Sequence, residues 1–326
     1  MDLKPIEYIL KIADEGGISR AAEKLFITQS ALNQQLLKLE GELGLQLFHR
    51  CKNDFHPTAA GEIYIRYGRE MLQKKKEAYN ILHDMANDRL GRLSVALTPE
   101  RGIDMFTAIY PEFHDRFPRI IVEPQEMRVH DQLTQIVRGY MDLGFVTLRE
   151  ADKLPGNEYT TILTEPLLFA VSRRNPLAAD AAPPDTPVSE LPLADLSRFR
   201  DEPFILMFHT STMASVIDTI FKNAGFLPQI LFETASNKTI RSMIKNSLGC
   251  TILPREYFKF PDEIAYYRLP ENPTWELCSV WKKGTWQTKF ANCFTGLAAS
   301  YFQQRAEALT SPVFAARTPA TASPES

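Results

Sequence analysis

Four short, uncharged polar side chains, Gln29, Ser30, Asn33 and Gln34, fall along one arc of a predicted helix. Groups that both donate and accept suit the edges that bases present in a major groove, where Asn and Gln pair bidentately with adenine. A second set is scattered over a much longer span: Thr98, Pro99, Glu100, Val146, Thr147, His209, Thr210, Ser211, Thr212, Ser236 and Asn237. Each group follows a predicted strand, and several precede a helix, where a hydroxyl and the first free amides can hold an anion or a polar ligand. Each is equally able to act as a plain helix cap. Catalysis finds no support. His209-Thr210-Ser211 has no G-x-S-x-G setting, and Asp201-Glu202 reads as loop solvation. P-loop, HExxH and dinucleotide-glycine motifs are missing too. The chemistry implied is recognition, with no cofactor and no metal.

The first set must be carried by a small helical scaffold. Ser19 to Glu40 reads as two short helices joined by a tight turn. Ser19 is the expected cap of the first, with Ala21, Ala22 and Leu25 as a small apolar face that lets a second helix cross closely. Phe26 and Ile27 fill the turn, and Thr28 caps the helix that starts at Gln29. On that helix Leu32, Leu36, Leu39 and Leu43 form one stripe at three- and four-residue steps. An ordinary amphipathic helix pair shows the same periodicity. The next residues are more particular: Gly44 ends the helix, Leu45 to Arg50 enters a short strand, Cys51 to His56 is polar, and Pro57-Thr58-Ala59-Ala60-Gly61 opens a long helix. The expected unit is a helix-turn-helix with a hairpin wing, with Ile6 to Ala13 as its third helix and Gly16-Gly17 as that helix's stop.

The order AA..L..TQSALNQQL.KLE..LG..LF.R.......T.AG resembles the N-terminal signature of LysR-type transcriptional regulators across roughly the first sixty residues. The resemblance implies double-stranded promoter DNA as a partner. The expected contact set is Thr28, Gln29, Ser30, Asn33, Gln34 and Lys38, with Arg50 at the family's wing arginine. Family members usually have proline at the place of Ser30, serine at Asn33, and arginine at Gln34 and Leu37. These departures predict altered base preference and fewer ionic contacts.

Charge would not have revealed a DNA-binding protein. Residues 1–92 hold 14 Lys and Arg against 13 Asp and Glu, leaving 23 against 27 elsewhere and a net charge of −3. With 44% hydrophobic and 24% charged residues the composition is that of a globular protein. No membrane span or secretory signal is expected, and the chain is placed in the cytoplasm. Cys51, Cys250, Cys278 and Cys293 show no CxxC or metal spacing and read as reduced structural thiols.

The expected fold class is multidomain α/β: a winged helix-turn-helix over 1–58, a linker helix over 59–89, then a two-lobed α/β domain. Tyr64, Tyr67, Met71, Ala78, Ile81 and Met85 take heptad seam positions on the linker, with Lys74 as the polar exception. Such an edge needs a partner, either the chain's own second domain or a second copy. The family resemblance implies the copy, an antiparallel linker pair in a homodimer or homotetramer. From Gly91 on, strand, helix, strand, helix, strand predicts a parallel sheet with right-handed crossovers. A second set begins with a strand over Leu167–Val171 and resumes after the proline-rich loop 178–196. Lobe one is expected over 92–161 and 267–305, lobe two over 162–266, and a disordered tail over 306–326. The two lobes resemble a periplasmic-binding-protein fold, as the family's effector domain does. The resemblance therefore implies a small-molecule effector held by Thr98, Pro99, Glu100, Val146, Thr147, His209, Thr210, Ser211 and Ser236, and RNA polymerase as a further partner. In this reading Glu100 opposes an anionic effector unless it pairs with Arg101. The alternative is a solute-binding or enzymatic α/β protein whose N-terminal helices only mediate association.

Overall fold

The computed structural model describes residues 3–51, 54–85 and 91–308. Two compact units divide the chain, Met1–Asp88 and Arg89–Ser326.

The first unit contains α1 (Lys4–Glu15), α2 (Ile18–Lys24), α3 (Gln29–Leu43), β1 (Phe48–Cys51), β2 (Asp54–Pro57) and α4 (Ala59–Met85). Ile9, Ile12, Ala21, Leu32, Leu36 and Phe48 fill its core. Gly16 ends α1 at φ 60°, a left-handed turn that glycine takes without a Cβ penalty. Gly17, not Ser19, is the N-cap of α2, because the helix begins two residues earlier than the polar pattern suggested. Thr28 does cap α3: its Oγ1 accepts from the Ala31 amide at 3.2 Å. The leucine stripe is shorter than expected, since Leu32 and Leu36 are fully buried while Leu43 is 45% exposed.

The wing is an antiparallel hairpin pairing Phe48 with Pro57 and Arg50 with Phe55. Thr58 locks its base by donating to Gln46 O at 2.7 Å and accepting from the Gly61 amide at 3.0 Å. Gly61 is required there, because a Cβ would lie 1.9 Å from Leu47 O.

Of the expected seam on α4, Tyr67, Met71 and Ala78 are exposed and Ile81 is half-exposed. Tyr64 packs with buried Ile65 against the unit's own core. Among the described residues of α4, Ile63, Tyr67, Met71, Tyr79 and Leu82 are the large apolar side chains left exposed. Of the expected seam, the unit's own core therefore takes only Tyr64 among the described side chains, and Ile63, Tyr79 and Leu82 widen the exposed stripe. The side chain of Met85 lies outside the described residues.

The second unit runs β3 (Gly91–Leu97), α5 (Arg101–Arg116), β4 (Ile120–Glu126), α6 (Val129–Val137), β5 (Leu143–Leu148) and β6 (Asn157–Ser172). It continues with β7 (Pro203–Met207), α7 (Ala214–Ala224), β8 (Gln229–Thr234), α8 (Asn237–Lys245), β9 (Cys250–Pro254), β10 (Ile264–Arg268), β11 (Thr274–Lys282) and α9 (Lys289–Ala308). The sheet order is β4-β3-β5-β11-β6-β9-β7-β8, with β10 also on β6. β3 is parallel to β4 and β5, and β7 to β8 and β9, as βαβ crossovers require. β11 returns antiparallel between β5 and β6.

β6 holds the unit together. Its first part, Asn157 to Pro166, pairs with β11, and Leu167 to Ser172 pairs with β9 and β10. The strand expected over Leu167–Val171 is thus only the second half of one sixteen-residue strand, and the expected lobe boundary at 161/162 falls inside it. Separate cores flank the change of partner. Leu93, Val95, Met105, Phe113, Phe145 and Phe294 pack on one side, and Phe169, Phe199, Phe204, Ile217, Phe221 and Tyr267 on the other. The proline-rich loop is not solvated throughout, since Ala178, Val188, Leu191, Ala194 and Leu196 are buried in the second lobe. α9 extends to Ala308, past the expected start of the tail, whose residues 309–326 lie outside the described part. No described helix is long and apolar enough to cross a membrane.

Candidate functional site

Two surfaces gather the polar residues singled out by type and spacing. On α3, Gln29, Ser30, Gln34 and Lys38 are exposed and Asn33 is half-buried. Thr28 serves the backbone: its hydroxyl caps the helix and lies 3.2 Å from Ser30 Oγ, so it positions the first turn. Lys38 Nζ stands 4.0 Å from Glu42 in a largely exposed pair, which holds it only weakly. The side chain of Arg50 lies outside the described residues. Leu37 is 48% exposed on the same helix, so an apolar group stands where an arginine would have offered charge. At the turn, Phe26 is 95% exposed at φ 55°.

The second surface is a cavity of about 330 Å³ in the second unit. Its walls come from the segments that leave the strand ends: Thr98 and Pro99 after β3, Arg128 to Asp131 after β4, and Thr147 within the end of β5. Met207, Phe208 and Thr210 to Met213 come from the end of β7 and the loop after it, and Ala235 and Asn237 lie beyond β8. Open α/β sheets bind ligands at these carboxyl ends because helix amino termini converge there. Tyr257 and Trp275 complete the wall.

Of the nine expected effector residues, Thr98, Pro99, Thr147, Thr210 and Ser211 line this cavity. Four do not. Val146 faces away, in the core with Ala96 and Ile136, because neighbours on a strand point to opposite faces. His209 is exposed and sits 3.3 Å from Glu233. Ser236 caps α8 by accepting from the Thr239 amide at 3.1 Å. Glu100 is turned toward Ser236, not into the cavity and not onto Arg101.

Arg101 enters the molecule instead and lines the cavity floor. It is buried and ion-paired with Glu165. Glu165 also accepts from Trp275 Nε1 at 2.9 Å and from the Glu256 amide at 3.2 Å, and Glu256 pairs with Arg305 of α9. Burial works to discharge Arg101, but Glu165 and Glu256 outweigh it and hold its pKa above the ordinary value. The guanidinium also lies 5.2 Å from the ring centre of Phe302. Burial raises the pKa of Tyr257, so the phenol beside it stays neutral.

Groups remain for a ligand. Ser211 Oγ and Asn237 Oδ1 are buried with no partner among the described residues. Buried polar atoms are ordinarily paired, so these await an acceptor and a donor. Arg128 lies 5.8 Å from the ring centre of Phe208, with no carboxylate paired to it among the described residues. The arrangement can hold a compact molecule with an apolar body and a few polar atoms.

Sequence reasoning missed Arg101, Arg128, His130, Phe208, Tyr257 and Trp275 as lining residues, and it put Ser236 in the effector set where its neighbour Asn237 is the one that lines the wall. Arg128 to Asp131 obey the same strand-end rule and were legible by it. Tyr257 and Trp275 lie on later segments, and nothing local marks them.

Comparison with known proteins agrees over nearly the whole chain. Residues 3–62 match the family described as bacterial regulatory helix-turn-helix protein, lysR family, and residues 86–303 match the LysR substrate binding domain. The uncharacterized HTH-type transcriptional regulator YcgK of Bacillus subtilis is 26% identical over 314 residues, covering 93% of this chain and 96% of that protein. Full-length OxyR from Pseudomonas aeruginosa shares the fold at TM-score 0.60 and 18% identity, over 92% of this chain and 97% of that one. So does full-length CbnR solved in complex with its target DNA, at TM-score 0.53 and 22% identity, over 92% and 99%. The chain belongs to the LysR family, and is a DNA-binding transcriptional regulator with an effector-binding domain, not an enzyme.

Proposed function

We propose that α3 lies in the major groove of promoter DNA with Gln29, Ser30, Asn33 and Gln34 toward the base edges. Thr28 and Lys38 flank them, and Arg50 reaches phosphate from the wing. The observation that carries this is the uncharged, exposed polar arc of α3 on a winged helix-turn-helix. CbnR, whose fold the chain shares, was solved on its target DNA. The exposed stripe Ile63, Tyr67, Met71, Tyr79 and Leu82 on α4 supports pairing with a second copy, giving a homodimer or homotetramer. Two such copies would present α3 to successive major grooves of an inverted repeat.

The cavity is the effector site. Its ligand is a small molecule held between the lobe of 92–161 and 267–305 and the lobe of 162–266. Thr98, Thr147, Thr210 and Ser211 offer polar contacts, and Met207, Phe208 and Trp275 offer an apolar wall. Binding that favours one arrangement of the lobes shifts the regulator between states, provided the affinities of the two states differ. The protein then acts in the cytoplasm, where promoter and RNA polymerase meet.

Selection from a random duplex library at two salt concentrations tests the reading. Enrichment of an inverted repeat with half-sites about one helical turn apart is expected. Gln29→Ala with Asn33→Ala should abolish that enrichment while leaving the circular dichroism spectrum unchanged, each lost base contact costing about 1–3 kcal/mol. Weak binding without sequence preference in the unaltered protein would defeat it.

A further inference from the structure

We propose that Glu100 is a built-in latch between the two lobes at the rim of the effector cavity, released when the lobes part. Glu100 belongs to the first lobe, at the start of α5. Its Oε1 accepts from Ser236 Oγ at 2.6 Å and from the Lys238 amide at 3.3 Å, both at the amino end of α8 in the second lobe. The first amides of a helix have no partner inside it, and a carboxylate there meets the positive end of the helix dipole. Charge-assisted bonds of this kind are among the stronger ones available to a protein.

The backbone of Glu100 shows that the contact is imposed. It stands at φ 59° and ψ −83°, and the Arg101 amide closes a three-residue turn onto Pro99 O at 2.8 Å. This turn is rare and strained, and such a conformation persists only where the surroundings over-determine it. Two tethers pull on it in opposite senses. Glu100 is drawn outward to α8, while Arg101, the next residue, is drawn inward to Glu165. Thr98 and Pro99 on one side of the turn, and Ala235 and Asn237 beside Ser236, are cavity wall. Parting the lobes there breaks the bonds of Glu100 and lets the turn relax. A latch of this kind sets the threshold that effector binding must overcome.

The role of the latch rests on the reading of the cavity as the effector site, but its existence can be tested without any effector. Amide exchange of the full-length protein gives the first measurement. Lys238 has no intrahelical acceptor, so its protection comes from Glu100. Glu100→Ala should speed its exchange by roughly tenfold, the order expected when a bond to a charged group is lost. Glu100→Gln, which keeps an acceptor without the charge, should fall between. Unchanged exchange at fully buried Phe169 shows that the variants are folded. The second measurement is acrylamide quenching of Trp275 in a background carrying Trp281→Phe and Trp286→Phe. Trp275 is 8% exposed in the cavity wall, and its quenching should rise in Glu100→Ala. Equal Lys238 exchange in Glu100→Ala and the unaltered protein overturns the latch. Faster exchange with Trp275 quenching unchanged also overturns it, because Glu100 would then be a local helix cap. A latch that holds in a protein whose cavity takes no small molecule would sink the effector reading alone.

Discussion

The proposed DNA-reading helix and the proposed effector cavity are built by opposite rules. The polar residues between Gln29 and Lys38 lie in one short stretch, exposed but for half-buried Asn33, and are held by local devices, a cap at Thr28 and buried leucines one and two turns on. The cavity draws its wall from segments as far apart as Thr98 and Trp275, and Arg101 in its floor begins a chain of charged groups that runs behind it through Glu165 and Glu256 to Arg305. The helix offers its polar groups to water, which DNA would replace on the proposed reading. The cavity has withdrawn some of its polar groups from water, Arg101, Ser211 Oγ and Asn237 Oδ1 among them, so those must be answered by protein or by ligand. A side chain lost from the first surface should therefore cost recognition, and one lost from the second should cost the fold.

The largest effect belongs to the floor. Arg101→Met leaves Glu165 buried with its charge unanswered, and breaking a buried pair from one side costs about 3–5 kcal/mol. The expected result is a lower urea midpoint followed by tryptophan fluorescence, since Trp275, Trp281 and Trp286 all lie in the second unit. Arg101→Met combined with Glu165→Met should recover much of the loss, because no isolated charge is then left inside. A double variant no better than the single one would mean that the pair stabilises the floor beyond neutralising itself.

That contrast also decides what was legible. In the first unit the chain's own neighbours fix the geometry. Gly16 as a stop, Thr28 as a cap and the buried Leu32 and Leu36 could be read from short windows, while Ser19 and Leu43 erred by two residues and one turn. In the second unit the strand ends were readable one at a time, and five of the nine residues named there line one cavity. Their pairing partners were not readable. Glu100 and Arg101 are adjacent, and a strained turn sends one to Ser236 and the other to Glu165, partners 136 and 64 residues away. No periodicity carries that information.

The wing tests the contrast from the other side, since there a local feature should carry structural weight. Gly61→Ala places a methyl group against the backbone oxygen of Leu47, which cannot rotate aside. Overpacking of this kind typically costs about 1–3 kcal/mol. Faster amide exchange at Thr58 and Gly61 is expected, because those amides close the junction of wing and α4. Exchange unchanged there would mean that the hairpin yields freely and that Arg50 is not held by its base.

The smallest expected effect is a gain. Phe26 occupies the turn before α3 at φ 55°, where a bulky side chain crowds its own carbonyl, and at 95% exposure its ring gains nothing from burial. Glycine adopts this conformation without the clash but brings a more flexible unfolded chain, so the two terms partly cancel. Phe26→Gly should raise the stability of the first unit by a few tenths to about 1 kcal/mol, read as a small increase in Tm. Operator affinity supplies the sharper half of the test. If the ring is only a turn residue, stability rises and affinity holds. A gain in stability with a loss of affinity would place an aromatic face against the DNA beside Gln29. The strained backbone would then be the cost of presenting it, and the first surface would share with Glu100 a device that so far belongs to the second.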